Sequence, residues 1–175
     1  VEEAGFQQSE KRNVTINRTV DFQDQERRVI ITNHLAAYEK ELSGDLPVES
    51  PVVAAVVSTP QAKMLGVPLN PAGQMPMDRL ITFASQAGAQ FGGSIQSVEK
   101  ADSWETTVAG KDATVSKFSA TVQNNGQTAD VFVHVTRVSH EGDYLLVVAA
   151  YPQAFEENGL IERSDVEPMF TGVQH

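Results

Sequence analysis

Four histidines, His34, His134, His140 and His175, are the residues of this chain best suited to acid–base or metal chemistry. Their spacing argues against both. No His-x-His or His-Glu-x-x-His arrangement puts two imidazoles on one face of a strand or helix, as a zinc site requires. Taken singly, His34 falls in or beside a predicted strand, His140 in a hairpin turn and His175 at the last position, so packing or solvation accounts for them. Cysteine is absent, which removes disulfides, thiolate metal ligands and cysteine nucleophiles together. There is no Gly-x-Ser-x-Gly elbow, Walker loop or GxGxxG, and Gly92-Gly93-Ser94 ends a helical pattern where a phosphate loop would open one. Glu156-Glu157 reads as a solvated charge run on a loop. The sequence therefore assigns no catalytic residue, no cofactor and no metal.

What remains are candidates for a ligand or partner surface: Trp104, Lys117, Phe132, His134 and Tyr151. Trp104 is the only tryptophan and stands between polar neighbours near a predicted strand end, where core or edge packing competes with ligand stacking. Asn13-Val14-Thr15 and Asn17-Arg18-Thr19 are both Asn-x-Thr sequons, so Asn13 and Asn17 are glycosylation candidates if the chain is exported.

The elements that must position these residues are mostly strands. Val14, Ile16, Val20 and Phe22 alternate with Asn13, Thr15, Asn17 and Thr19, the pattern of a half-buried strand, with Arg18 interrupting its apolar side. A turn near Gln23-Asp24-Gln25 and a return strand over 26–38 follow, then a continuous apolar run at 52–57 that suits a strand buried on both faces. Residues 59–77 carry four prolines and two glycines and read as one long loop. Leu80, Phe83, Ala84, Ala87 and Phe91 fall at helical spacing, ending at Gly92-Gly93. Strands are predicted over 95–100 and 105–108, followed by three more that close the sheet. A last helix is predicted after Ser164 as its cap, where Pro168 fits only in the first turn.

Register follows from the turns. Asn125-Gly126 is a two-residue hairpin signal, and its use sets Val122 opposite Ala129, Ala120 opposite Val131, Phe118 opposite Val133 and Ser116 opposite Val135. The other face then carries Lys117 beside His134 and Ser119 beside Phe132. A turn at Glu141-Gly142 brings Phe132 to Tyr151, His134 to Ala149 and Val135 to Val148. The strand 144–151 is apolar on both sides, so cover is needed on both faces of the sheet. The expected fold is one α+β domain over 1–175, a mainly antiparallel sheet with helices packed on both faces.

At 175 residues the chain is long enough to bury a core without a staple. With 23 Asp+Glu against 13 Lys+Arg, its formal charge of -10 disfavours nucleic acid and anionic membrane surfaces as partners. No apolar run approaches the roughly 18 residues of a membrane helix. The chain opens at Val1 with neither a basic n-region nor an apolar h-region, which fits a trimmed domain and a removed signal segment equally. Acidic excess with only six lysines suits solubility in concentrated salt, and on charge alone it equally describes an ordinary acidic mesophile protein.

Several segments resemble a haloarchaeal family of unknown function. They are Asn17-Arg18-Thr19-Val20, 32–40, Val57-Ser58-Thr59-Pro60-Gln61, Leu69-Asn70-Pro71, Phe118-Ser119-Ala120, Val133-His134-Val135-Thr136, 148–152 and Gly172-Val173-Gln174-His175. The resemblance runs in order over nearly the whole chain and carries no known chemistry. It implies an exported lipoprotein whose lipid-bearing cysteine would lie ahead of this domain, on the outer face of the cell membrane. The layout is also similar, more distantly, to PsbP-like topology. The implied function is a non-enzymatic extracytoplasmic binding or accessory domain with a protein or small-molecule partner. No nucleic acid is expected, and the membrane is met only through the anchor. A small-molecule carrier, with a pocket between sheet and helix under the 59–77 loop, is the alternative, and a hydrolase ranks last.

Overall fold

The structure is a computed structural model that describes residues 5–22, 25–41, 51–64, 67–81, 94–124 and 126–173. Seven strands form one antiparallel sheet. They are β1 (Gln7–Phe22), β2 (Gln25–Lys40), β3 (Val52–Pro60), β6 (Ser94–Val108), β7 (Lys111–Asn124), β8 (Gln127–His140) and β9 (Asp143–Pro152), in the spatial order β1-β2-β3-β9-β8-β7-β6. Between β3 and β6 lies a two-stranded ribbon of β4 (Lys63–Met64) and β5 (Val67–Pro68). Two meanders, β1–β3 and β6–β9, therefore meet at β3 and β9 in the middle of the sheet. That explains why these two strands are the most continuously apolar, with both of their faces covered.

The turns fix the second meander as the sequence predicts. Gly126 has φ +81°, and Glu141-Gly142 takes positive φ at both positions (48° and 90°), the backbone of a type I′ hairpin. Asn125 lies outside the described residues. Every expected pair recurs, including Phe118 with Val133, Ala120 with Val131, Lys117 with His134, Phe132 with Tyr151 and Val135 with Val148. Ala109-Gly110 makes the same kind of turn between β6 and β7 (φ 47° and 73°) without an Asn or Asp to announce it.

Two apolar layers result. One face of the sheet holds Leu35, Ala55, Val57, Phe118, Ala120, Val133, Leu146 and Val148. It is covered by Leu80 and Ile81 of the helical segment 77–81, with Met75 and Met77. The other face holds Val52, Ala54, Trp104, Val115, Val147, Ala149 and Tyr151 under Phe155, Ile161, Val166, Met169 and Phe170. These last five come from the short helix Gln153–Glu157, the turn after it and the C-terminal helix Arg163–Thr171.

Several expectations are corrected. Among the described residues strand outweighs helix 67% to 16%, and the described helical stretches are three short ones. The α+β layout with helices packed on both faces, and the PsbP-like topology with it, thus gives way to a β-rich fold. Covering a sheet face requires apolar side chains and not long helices, and among the described residues short helices and turns supply them. The segments 95–100 and 105–108 are one strand, β6, with irregularities between Ile95 and Ser97 and between Lys100 and Asp102. A bulge of this kind keeps a polar stretch within an edge strand. The C-terminal helix is capped by a box between Glu162 and Asp165 in place of Ser164, and Pro168 sits inside it, beyond its first turn. The 59–77 region contains β4, β5 and a 3-10 turn at Pro71–Gly73. The helix expected beyond residue 81, with its expected stop at Gly92-Gly93, falls on residues outside those described, as do residues 23–24 of the expected first turn. Among the described residues no helix is long and apolar enough to cross a membrane.

Candidate functional site

The five candidate surface residues come together on the face that carries the C-terminal helices. Lys117, His134, Phe132 and Tyr151 share it because β7, β8 and β9 are paired without a break at these positions. Trp104 arrives from β6 on the far side of β7. Its ring meets His134 edge-on at 5.0 Å between centroids, and His134 stacks on Tyr151 at 5.3 Å. Phe132 meets Tyr151 edge-on at 6.1 Å, and the Lys117 ammonium lies 3.8 Å from the Phe132 centroid, a cation–π contact.

Two further residues complete the cluster, and the sequence reading missed both. Glu156, read as a solvated loop charge, is in the helix that starts directly after β9, which turns its carboxylate back over the sheet. Lys117 Nζ donates to both of its oxygens at 2.6 Å, and the Tyr151 hydroxyl donates to Oε2 at 2.8 Å. Pro152 followed by Gln-Ala-Phe-Glu-Glu was the available signal, since a proline commonly precedes or opens a helix. Arg163, the first residue of the C-terminal helix, lays its guanidinium 4.9 Å from the Trp104 ring centroid.

The hydrogen bonds have one consistent direction. Because the Tyr151 proton goes to the carboxylate, the hydroxyl accepts from His134 Nε2, 3.0 Å away. That assigns the Nε2–H tautomer to a histidine only 2% exposed. His134 Nδ1 is then a buried lone pair, and Trp104 Nε1–H a buried donor, each without a hydrogen-bond partner among the described residues. Burial, with the Lys117 charge second, lowers the His134 pKa to about 3, against smaller opposing effects of Glu156 and Asp102. Burial and the adjacent Glu156 carboxylate raise the Tyr151 phenol above its ordinary value. For Glu156, burial pushes upward, but the hydrogen bonds from Lys117 and Tyr151 outweigh it and hold the carboxyl below its usual range.

The other sequence candidates are elsewhere. Asn13 and Asn17 are exposed on β1, and Asn13 Oδ1 lies 2.8 Å from His34 Nδ1 of β2. His140 ends β8, one residue short of the turn where the sequence reading put it, and His175 lies outside the described residues. The region expected to rim a pocket is tied to the sheet. Asn70 donates to Thr59 Oγ1 (2.7 Å) and to the Pro60 carbonyl (2.6 Å), and Arg137 donates to the carbonyls of Ala72 and Met75. Ser58 donates to Asp143 beside it.

The family model described as a domain of unknown function (DUF6517) matches residues 1–174. Comparison with curated proteins gives no match. Among solved structures, the crystal structure of PA94, a protein of unknown function from Pseudomonas aeruginosa, is similar at 12% identity. The alignment covers 91% of this chain and 97% of that one with a TM-score of 0.39, a likeness too loose to carry an argument.

Proposed function

The chain belongs to the DUF6517 family of unknown function, and on the geometry of its polar cluster we propose a non-enzymatic binding or accessory domain. In the full-length protein it is held by a lipid anchor on the outer face of a haloarchaeal membrane. One observation carries the non-enzymatic reading. Lys117, Glu156, Tyr151 and His134 form a single chain of hydrogen bonds in which each group serves the next. A general acid or base works best with a pKa near the operating pH. Here His134 is held neutral down to about 3, Tyr151 is pushed up and Glu156 down, so none of the three changes charge near neutrality. Such a cluster is a fixed surface: Lys117 and Phe132, both partly exposed, form its outer part over a rigid polar base. The acidic balance of -10 supports the saline part of this setting.

The test uses intact source cells. Protease added outside should digest the native protein, and its N-terminal peptide should carry a lipid mass. Covalent footprinting should label Phe132 and Lys117 less on the cell than in the purified domain. A protected cytosolic protein without lipid would overturn the compartment, and equal labelling in the two states would overturn the binding surface.

A further inference from the structure

Two sequons lie on β1, and the fold gives them different surroundings. β1 is an outer strand of the sheet, paired to β2 alone over 16 residues. A long strand edge is a template for pairing with another chain, which proteins commonly block with charge or bulk. Asn13, Thr15, Asn17 and Thr19 are all exposed on one face of this strand. Opposite Asn13 stands His34, whose Nδ1 lies 2.8 Å from the Asn13 carbonyl oxygen, so that side chain is held across the ladder. Asn17 makes no side-chain hydrogen bond among the described residues. Its partner across the ladder is Ile30, 61% exposed and the most exposed large hydrophobic residue among those described. Directly opposed residues of an antiparallel pair put their Cβ atoms roughly 4.5–5.5 Å apart on the same face. A group attached to the Asn17 amide therefore emerges beside an uncovered aliphatic side chain.

We propose that Asn17, in preference to Asn13, is a site of N-glycosylation, and that its glycan covers Ile30 and screens the β1 edge. The inference rests on the extracytoplasmic reading above, because the donor it requires is a sugar activated on a lipid diphosphate. In the transfer the Asn17 amide nitrogen bonds to the anomeric carbon. The sugar–phosphate bond breaks with its electron pair leaving on the lipid diphosphate, and the amide proton passes to a base of the transferase. Thr19, two residues on and exposed on the same face, supplies the hydroxyl that completes the sequon.

The experiment gives the full chain an export leader in a secretory host that performs N-glycosylation and reads residues 13–18 by fragmentation mass spectrometry. The glycan is expected on Asn17 in the wild type and, undiminished, in Asn13→Gln. Asn17→Gln and Thr19→Ala should each lose it. A bare Asn17 in the secreted Asn13→Gln protein, or a glycan retained at full occupancy in Asn17→Gln, would overturn the assignment. Since the leader supplies export, either result counts against the site and leaves the compartment to the protease experiment on source cells. Removing the glycan enzymatically should increase light scattering of concentrated protein, and Ile30→Thr should reverse the increase. Scattering unchanged by removal would overturn the covering role.

Discussion

The two faces of the central sheet are built from alternate residues of the same strands, yet they are held by different physics. On one, Phe118, Val133, Val148 and Leu146 meet Leu35, Val57 and Leu80, and apolar contact accounts for the packing. On the other, one residue along each strand, the apolar layer is interrupted by Lys117, His134, Tyr151 and Glu156, whose polar atoms must find one another. A face of the first kind tolerates change in proportion to volume lost. The second face also holds fully buried rings such as Phe155 and Phe170, but it fails in addition when a polar partner is removed, because an unsatisfied buried group costs its full desolvation. Substitutions that separate volume from partnership are thus the way to test the contrast.

The largest effect is expected on the apolar face. Phe118 is 5% exposed and lies opposite Val133, so Phe118→Ala removes a ring that its neighbours cannot replace. The expected loss is about 3–5 kcal/mol in a denaturant titration, with no change in its dependence on pH. A loss under about 1 kcal/mol would mean that the face collapses freely and that its packing is not specific.

On the polar face the signature is pH. The folded protein keeps His134 neutral to about 3, while the unfolded chain takes up the proton below its ordinary value near 6.5. Between those limits the unfolded state binds more protons, so stability falls as pH falls, by roughly 1.4 kcal/mol per pH unit from this group. His134→Phe should flatten that part of the acid limb between about pH 6 and 4, and an imidazole resonance of His134 should stay neutral across the same window. Titration of His134 near pH 6 would break the comparison, since the face would then behave as solvated. Glu156→Gln is the next step down. It leaves the Lys117 ammonium without its carboxylate and should cost about 1–3 kcal/mol near neutral pH. Its folded pKa lies below the unfolded value, so this contribution is present above the unfolded pKa and disappears as pH drops through the folded one. Wild type and Glu156→Gln should converge in acid.

How much of this was legible followed the length of the local signals. The β7–β8–β9 register could be read because the Asn125-Gly126 and Glu141-Gly142 dipeptides are each a two-residue hairpin signal, and a one-residue slip would put Phe118 and Val133 on the wrong face. With register came the adjacency of Lys117, Phe132, His134 and Tyr151. The same logic failed on β6, where the polar run at 100–103 imitates a turn although the strand continues through it with a bulge. Glu156 was illegible for a different reason. Its helix has five residues, too few to show a period, and its partner Lys117 is 39 positions away, a distance only the folded sheet closes. The balance of helix and strand was misjudged because a strand apolar on both sides demands cover without saying what kind.

The smallest expected effect per charge, and the one that distinguishes interior from surface, is the response to salt. No Asp or Glu with described surroundings is buried, so the described acidic residues lie at or near the surface, where carboxylates repel one another through water. At about 1 M ionic strength the Debye length is roughly 3 Å, which screens most of that repulsion. Apolar burial gains further where the ions are excluded from the protein surface. The melting temperature should therefore climb from low salt into the molar range at fixed pH. Phe118→Ala should climb in parallel with the wild type, because it alters no charge. Glu156→Gln should climb at least as steeply, because it removes the Lys117–Glu156 attraction, which salt weakens in the wild type. The moderate charge leaves the domain folded at low salt, so the whole series can be measured in sodium or potassium chloride. A flat or falling melting temperature would show that surface repulsion does not limit this fold and would remove the saline setting from its proposed function.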